Sequence, residues 1–214
     1  MGNFSSNEIH RIVIDAYDKI ASEYTSAYAE DDEYDFRYLK LFIERLRGKR
    51  ILDMGCGTGT IMSFMDRQGF EITGIDASKG MLSIAQRDFP AFDFVEGNIL
   101  STCFDDADFD GIILSYTVNH FTDDDISKLA TEIDRLLKEN GLVYISAHVG
   151  NGEGIFPDPL DASLKIYYNL LTQDKLDRLF SGFQRVYFET RKSFGEEEFL
   201  WDKMFLVYEA KKRM

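Results

Sequence analysis

The chain has 214 residues, 44% hydrophobic and 14% aromatic, which is enough for one buried core and too apolar for global disorder. Its formal net charge of −14 repels a phosphate backbone, and the densest basic run, Arg45 to Arg50, leads straight into a predicted strand, so nucleic acid is disfavoured as a partner. No run of about 18 apolar residues marks a membrane span, the first residues lack the basic-then-apolar layout of a secretory signal, and the two cysteines, Cys56 and Cys103, form no C-x-x-C pair. No metal site is expected on that ground, and a cytoplasmic protein with reduced thiols is.

In chain order, Ser5-Ser6-Asn7-Glu8 reads as a capping box. The helix behind it carries Ile9, Ile12, Val13, Ala16, Tyr17, Ile20 and Tyr24 on one face, with His10 on its surface. The acidic run Glu30-Asp31-Asp32-Glu33 reads as a solvated link, and a second helix follows over residues 34–47, closed by Gly48. Strands and helices then alternate: strand 50–54, helix 60–68, strand 70–75, helix 79–88, strand 92–95 and strand 110–115. The consecutive Ile112, Ile113 and Leu114 suit a strand covered on both faces, as in a parallel sheet. Thr122 caps a helix whose first turn holds Asp123, Asp124 and Asp125, and residues 142–147 form a fifth strand. Residues 148–171, with three glycines and two prolines, read as loop-rich. Thr172 caps a last helix, and segments 184–190 and 199–208 read as an antiparallel pair at a sheet edge. The pattern is a doubly wound α/β sheet, taken as a single domain over 1–214 with a helical cap over 5–47 and a substrate-side insertion over 148–171.

In such a sheet, ligands bind at the carboxyl ends of the strands. The first strand ends at Asp53, and Gly55, Gly57 and Gly59 then turn the chain into a helix. A dinucleotide fingerprint needs G-x-G-x-x-G, whereas the residue three after Gly57 is Thr60. A carboxylate at the head of the loop also sits poorly beside a pyrophosphate and suits an ammonium group.

Ile51-Leu52-Asp53-Met54-Gly55-Cys56-Gly57-Thr58-Gly59 resembles the first motif of class I S-adenosylmethionine-dependent methyltransferases, with similarity over about residues 17–182. The resemblance implies a Rossmann-like, seven-stranded, mostly parallel sheet whose last pair is antiparallel. It implies S-adenosylmethionine as cofactor, with Asp53, Gly55, Cys56 and Gly57 forming the first loop and Cys56 contributing only backbone. Asp76, followed by Ala77, matches the acid that bonds both ribose hydroxyls. Met81 matches an apolar contact to adenine, and Asn98, followed by Ile99, stands where the family usually carries Asp. Ser115 and Tyr116 end the fourth strand and border the methyl donor. The pattern around Tyr17 and Tyr24 is similar to the family's small-molecule branch, in which the leading helix folds over the cofactor and a ring faces the sulfonium.

His120 and Tyr17 are the catalytic candidates, His120 as a base at the mouth of the site. His148 ends the fifth strand at a similar height. Phe156, Tyr167, Tyr168 and Trp201 read as aromatic core ahead of an acceptor pocket. The expected activity is direct methyl transfer to a small-molecule acceptor by a monomer or homodimer. The alternatives are a non-catalytic cofactor-binding module or partner subunit, and a nicotinamide oxidoreductase, which the glycine spacing counts against.

Overall fold

The computed structural model describes residues 4–192 and 201–211, with the backbone alone for residues 29–34 and 63. The capping box forms as read. Ser5 caps α1 (Ser6–Arg45), and the Glu8 carboxylate accepts from the Ser5 amide at 2.8 Å. The expected link at residues 30–33 is absent: α1 is one helix of 40 residues, about 60 Å long. Residues 26–34 contain neither glycine nor proline, so the acidic run has nothing to break the helix, and packing on both sides carries it through.

The alternation follows as β1 (Arg50–Met54), α2 (Thr60–Asp66), β2 (Glu71–Asp76), α3 (Lys79–Asp88), β3 (Asp93–Glu96), β4 (Phe109–Ser115), a 3-10 turn at Val118–His120, α4 (Asp123–Leu136) and β5 (Leu137–His148). The caps at Thr122 and Thr172 form as expected, each side chain accepting a backbone amide at 3.2 Å. The insertion departs from the loop-rich reading. It holds an antiparallel hairpin, β6 (Glu153–Pro157) and β7 (Lys165–Asn169), in which Ile155 pairs with Tyr167 and Phe156 with Ile166. The flanking glycines and prolines masked two short strands rich in β-forming residues. Then come α5 (Gln173–Leu179), β8 (Phe183–Arg191) and β9 (Lys203–Ala210). Phe199, where the last strand was expected to start, lies outside the described residues.

The seven-stranded sheet has the order β3-β2-β1-β4-β5-β9-β8, with β9 antiparallel to both of its neighbours. Alternate side chains of the central strands feed two cores. Leu52, Ile112 and Leu114 meet Ile126, Leu129 and Ile133 of α4 on one face. Ile51 and Ile113 meet Phe42 of α1 and Met62 of α2 on the other. Each such side chain contributes roughly 1.5–3 kcal/mol by leaving water. Chain order reverses between β1 and β4, which opens a crevice beyond their carboxyl ends. No helix among the described residues is long and apolar enough to cross a membrane.

Helix α1 roofs that crevice. Its close approach to α3 requires Gly80, where a Cβ would lie 2.8 Å from the Asp18 carbonyl oxygen. Asp18 in turn accepts from the Gly80 amide at 2.8 Å and the Ser78 hydroxyl at 2.6 Å. A fully buried amide, Asn119, ties the 3-10 turn to the hairpin. It donates to the carbonyls of His148 (3.2 Å) and Asn169 (2.7 Å) and accepts from the His148 amide (2.8 Å). Asn119→Ala strands these three backbone groups, so urea unfolding is expected to show a loss of roughly 2–4 kcal/mol. A loss below about 0.5 kcal/mol would mean that the turn is held by other contacts.

Candidate active site

The loop after β1 is built around its glycines. Gly55 has φ +79°, and a Cβ there would meet the Thr117 hydroxyl oxygen at 2.5 Å, so only glycine lets the loop lie against the segment after β4. The Gly57 amide points at β2 and donates to Asp76 Oδ2 at 2.9 Å, while the Ser78 amide donates to Oδ1 at 2.8 Å. These two donors fix the carboxylate and leave it further lone pairs to offer. Burial raises the Asp76 pKa, and the backbone amides of Ser78 and Gly57 oppose the rise.

Asp53 is treated differently. It is 1% exposed, and its two carboxylate oxygens accept no hydrogen bond among the described residues. Burial, and then the neighbouring Asp76, push its pKa up to about 8. A buried, unpartnered carboxylate is costly unless a cation or a donor meets it. Beside it, Cys56 turns its side chain into the core against Gly74. Burial, and then the two aspartates, hold that thiol well above its ordinary pKa, so it is a protonated packing group.

A cavity of about 270 Å³ opens at this edge. Of the residues singled out in the sequence, Tyr17, Tyr24, Gly55, Gly57, Asp76, Ala77, Met81, Asn98, Ile99, Ser115 and His120 line it. Asn98 spends its side-chain oxygen on the Leu100 amide at 2.9 Å. On the roof, Tyr17 Oη lies 2.7 Å from His120 Nε2, and His120 Nδ1 lies 3.0 Å from the Tyr167 carbonyl oxygen. A carbonyl only accepts, so Nδ1 carries the proton and Nε2 accepts from the tyrosine hydroxyl. Burial lowers the His120 pKa to about 4 and raises that of Tyr17 well above the usual phenol range, so both are neutral near pH 7.

Residues 51–141 match a family model described as a methyltransferase domain. An uncharacterized methyltransferase of Alkaliphilus oremlandii is 29% identical over 140 residues, covering 61% of this chain and 64% of that protein. A demethylmenaquinone methyltransferase of Chlorobaculum tepidum is 35% identical over 104 residues, covering 48% and 42%. The chain thus spans less than two thirds of the length of these curated relatives. A solved S-adenosylmethionine-dependent methyltransferase from Methanosarcina mazei superposes with a TM-score of 0.71 at 18% identity, covering 79% of this chain and 96% of that one. The chain is thus similar in sequence and fold to S-adenosylmethionine-dependent methyltransferases. Its sheet, with the C-terminal antiparallel pair, has the Rossmann-like fold of those methyltransferases.

In this methyltransferase fold the cavity also gathers residues that the sequence did not single out. His10, read as helix surface, lines the cavity, its Nε2 3.3 Å from the carboxylate of buried Asp125. Val13, Ile14 and Phe121 join it. The signal was present in the helical spacing of 10, 13, 14, 17 and 24, which puts one face of α1 over the crevice. His148 is not among the lining residues. It packs 4.9 Å from Tyr116 and 5.5 Å from Trp201, between ring centroids. Phe156, Tyr168 and Trp201 pack on one another, as expected of aromatic core. Tyr116 lines the cavity in the left-handed region, φ +54°, with its hydroxyl donating to Asp35. Asp35 also faces Arg191 at 2.9 Å and Lys203 at 3.4 Å, all three nearly buried.

The raised pKa of Asp53 has a consequence for stability. Unfolded, the group ionises near pH 3.8; folded, near pH 8, so the folded state binds the extra proton and loses stability as pH rises through that window. Asp53→Asn is therefore expected to raise the ligand-free Tm, by about 5 °C or more at pH 8 and by less at pH 5. Calorimetry at the two pH values checks this, and an offset that does not change with pH would count against a titrating Asp53.

Proposed function

We propose that this protein transfers the methyl group of S-adenosylmethionine to a small-molecule acceptor. The observation that carries the reading is the buried, unpartnered carboxylate of Asp53 at the head of the glycine loop. It fits an ammonium group, and no lysine or arginine lines the cavity among the described residues. The same features count against a dinucleotide: the Gly57 amide, which a pyrophosphate would need, is already given to Asp76.

In this reading Asp53 holds the amino group and Asp76 accepts from the ribose hydroxyls with its remaining lone pairs. Ala77, Met81, Asn98 and Ile99 flank the adenine, with Gly55, Gly57 and the Cys56 backbone beneath. Tyr17 and Tyr24 close the roof, and Ser115 borders the reacting end. The cofactor supplies an electrophilic methyl group. The protein's part is to orient the acceptor against it and exclude water, for which effective molarities reach roughly 10⁵ M or more in well-oriented pairs. His120 and Tyr17, the catalytic candidates, act as one hydrogen-bonded pair over the reacting end. The relatives named for demethylmenaquinone favour a small-molecule acceptor over a macromolecule, and the acidic net charge disfavours a nucleic acid.

Calorimetry with S-adenosylmethionine tests the cofactor site. Asp76→Ala is expected to weaken binding about 100-fold, and wild-type affinity in that variant would remove the ribose assignment. Because Asp53 must give up its proton to meet an ammonium, affinity is expected to rise at least about tenfold from pH 6 to pH 8, where the ligand's own amino group begins to deprotonate. Asp53→Asn should bind more weakly and lose that rise. A profile unchanged by the substitution would mean that the amino group is held elsewhere.

A further inference from the structure

The roof of the cavity carries a hydrogen-bond chain whose direction is fixed by the backbone. It begins at the Tyr167 carbonyl, on β7, which has no proton to give. His120 Nδ1 must therefore donate to it, at 3.0 Å. A neutral imidazole with its proton on Nδ1 has a bare Nε2, and that nitrogen lies 2.7 Å from Tyr17 Oη. The tyrosine proton is thereby committed to His120. His120 is 7% exposed, its ring 5.1 Å from that of Tyr168, so the histidine has little room to turn and reverse the chain. What Tyr17 can offer an occupant of the cavity is lone pairs alone.

The charges around the cavity point the same way. Asp76 lines it, Asp53 lies buried beside it, and no lysine or arginine lines it among the described residues. The cations beyond Tyr116, Arg191 and Lys203, face Asp35. Besides His120, the groups that bear most on Tyr17 are Tyr24 and Tyr28 from α1, Tyr168 from β7 and Asp158 from the loop after β6, and none of these four is a cation. An anionic acceptor would thus meet the Asp76 carboxylate, no lysine or arginine among the described lining residues, and a tyrosine with no proton free to give.

We infer that Tyr17, held by His120 as a hydrogen-bond acceptor, selects a methyl acceptor that carries an O–H or N–H donor and no negative charge. The inference rests on the methyl-transfer reading above and adds the substrate class to it. Tyr17 touches the acceptor, and His120 is a positioning residue that sets the polarity of the tyrosine.

Two measurements test it. Nitrogen-15 NMR of histidine-labelled protein is expected to show His120 as the Nδ1–H tautomer with an unprotonated Nε2 throughout pH 6–8; an Nε2–H tautomer or an imidazolium would overturn the inference. The second uses phenol, aniline and benzoate, three monosubstituted benzenes, titrated into the wild-type protein saturated with S-adenosylhomocysteine. Phenol and aniline are expected to bind at least about tenfold more tightly than benzoate, and Tyr17→Phe is expected to weaken both donors severalfold with benzoate unchanged, which narrows that preference. Preference for benzoate, failure of both donors to bind, or a preference unchanged in Tyr17→Phe would overturn it. Failure of the wild-type protein to bind S-adenosylhomocysteine at all would instead sink the methyl-transfer reading, so the two failures are distinguishable.

Discussion

Asp53 sits at the point where β1 hands over to the glycine loop, 1% exposed and with both oxygens unpartnered among the described residues. Leaving a carboxylate in that state costs stability, which the two-sided core around the central strands offsets. The cost stays concentrated because Asp76, close enough to raise the Asp53 pKa, is itself satisfied by backbone amides from the loop and from the start of α3. The crevice therefore holds one carboxylate fixed by the backbone and a second with nothing to bind. A ligand cation completes that arrangement, and in doing so it relieves a strain that the folded protein otherwise carries.

The roof depends on the same edge from above. A helix of 40 residues cannot close over a crevice residue by residue, so its two halves share one geometry. Toward its C-terminal end, Tyr38 stacks on Phe205 with centroids 3.7 Å apart and Phe42 is fully buried against the sheet. Toward its N-terminal end, Asp18 grips the start of α3 and Ser6 donates to buried Asp125 at 2.6 Å. Tyr17, next to Asp18, and Tyr24 lie between Ser6 and Tyr38. Asp35, on the same helix, binds the Tyr116 hydroxyl, so a residue in the left-handed region at the end of β4 is held by the roof. Such strain, of order 1–3 kcal/mol, persists only where the surroundings over-determine it, and here a buried ion cluster does so.

Most of the sheet was legible because its signals are local. Capping at Ser5, Thr122 and Thr172, glycine stops and runs of branched apolar residues each name an element without reference to distant ones. The glycine loop was legible for the same reason, since a turn with φ +79° at Gly55 has few residue choices. What the sequence hid depends on tertiary context. The acidic run at residues 30–33 looks like a link because its charge suits solvent, yet no breaker interrupts it. The hairpin in 148–171 was masked by its flanking glycines and prolines. His10 reads as helix surface because its pairing with buried Asp125, 115 positions away, has no local signal. The Tyr17–His120 pairing, 103 residues apart, was out of reach as a contact, although each residue was singled out alone.

That pairing changes the chemistry available to His120. A histidine at the mouth of a site invites the role of a base that meets the acceptor directly. Here its Nε2 lone pair is already taken by a tyrosine proton, and its Nδ1 proton is already given to a carbonyl, so neither nitrogen faces the cavity with capacity to spare. Burial, which lowers its pKa to about 4, reinforces this by keeping the ring neutral and the polarity of the chain constant across physiological pH. The group presented to a ligand is therefore the tyrosine oxygen, and its electron-rich character is set by a backbone carbonyl two hydrogen bonds away. The insertion that delivers that carbonyl is a two-stranded hairpin apart from the main sheet. Its contribution is a main-chain atom, so side-chain variation along β7 can proceed while the direction of the hydrogen bonds is kept.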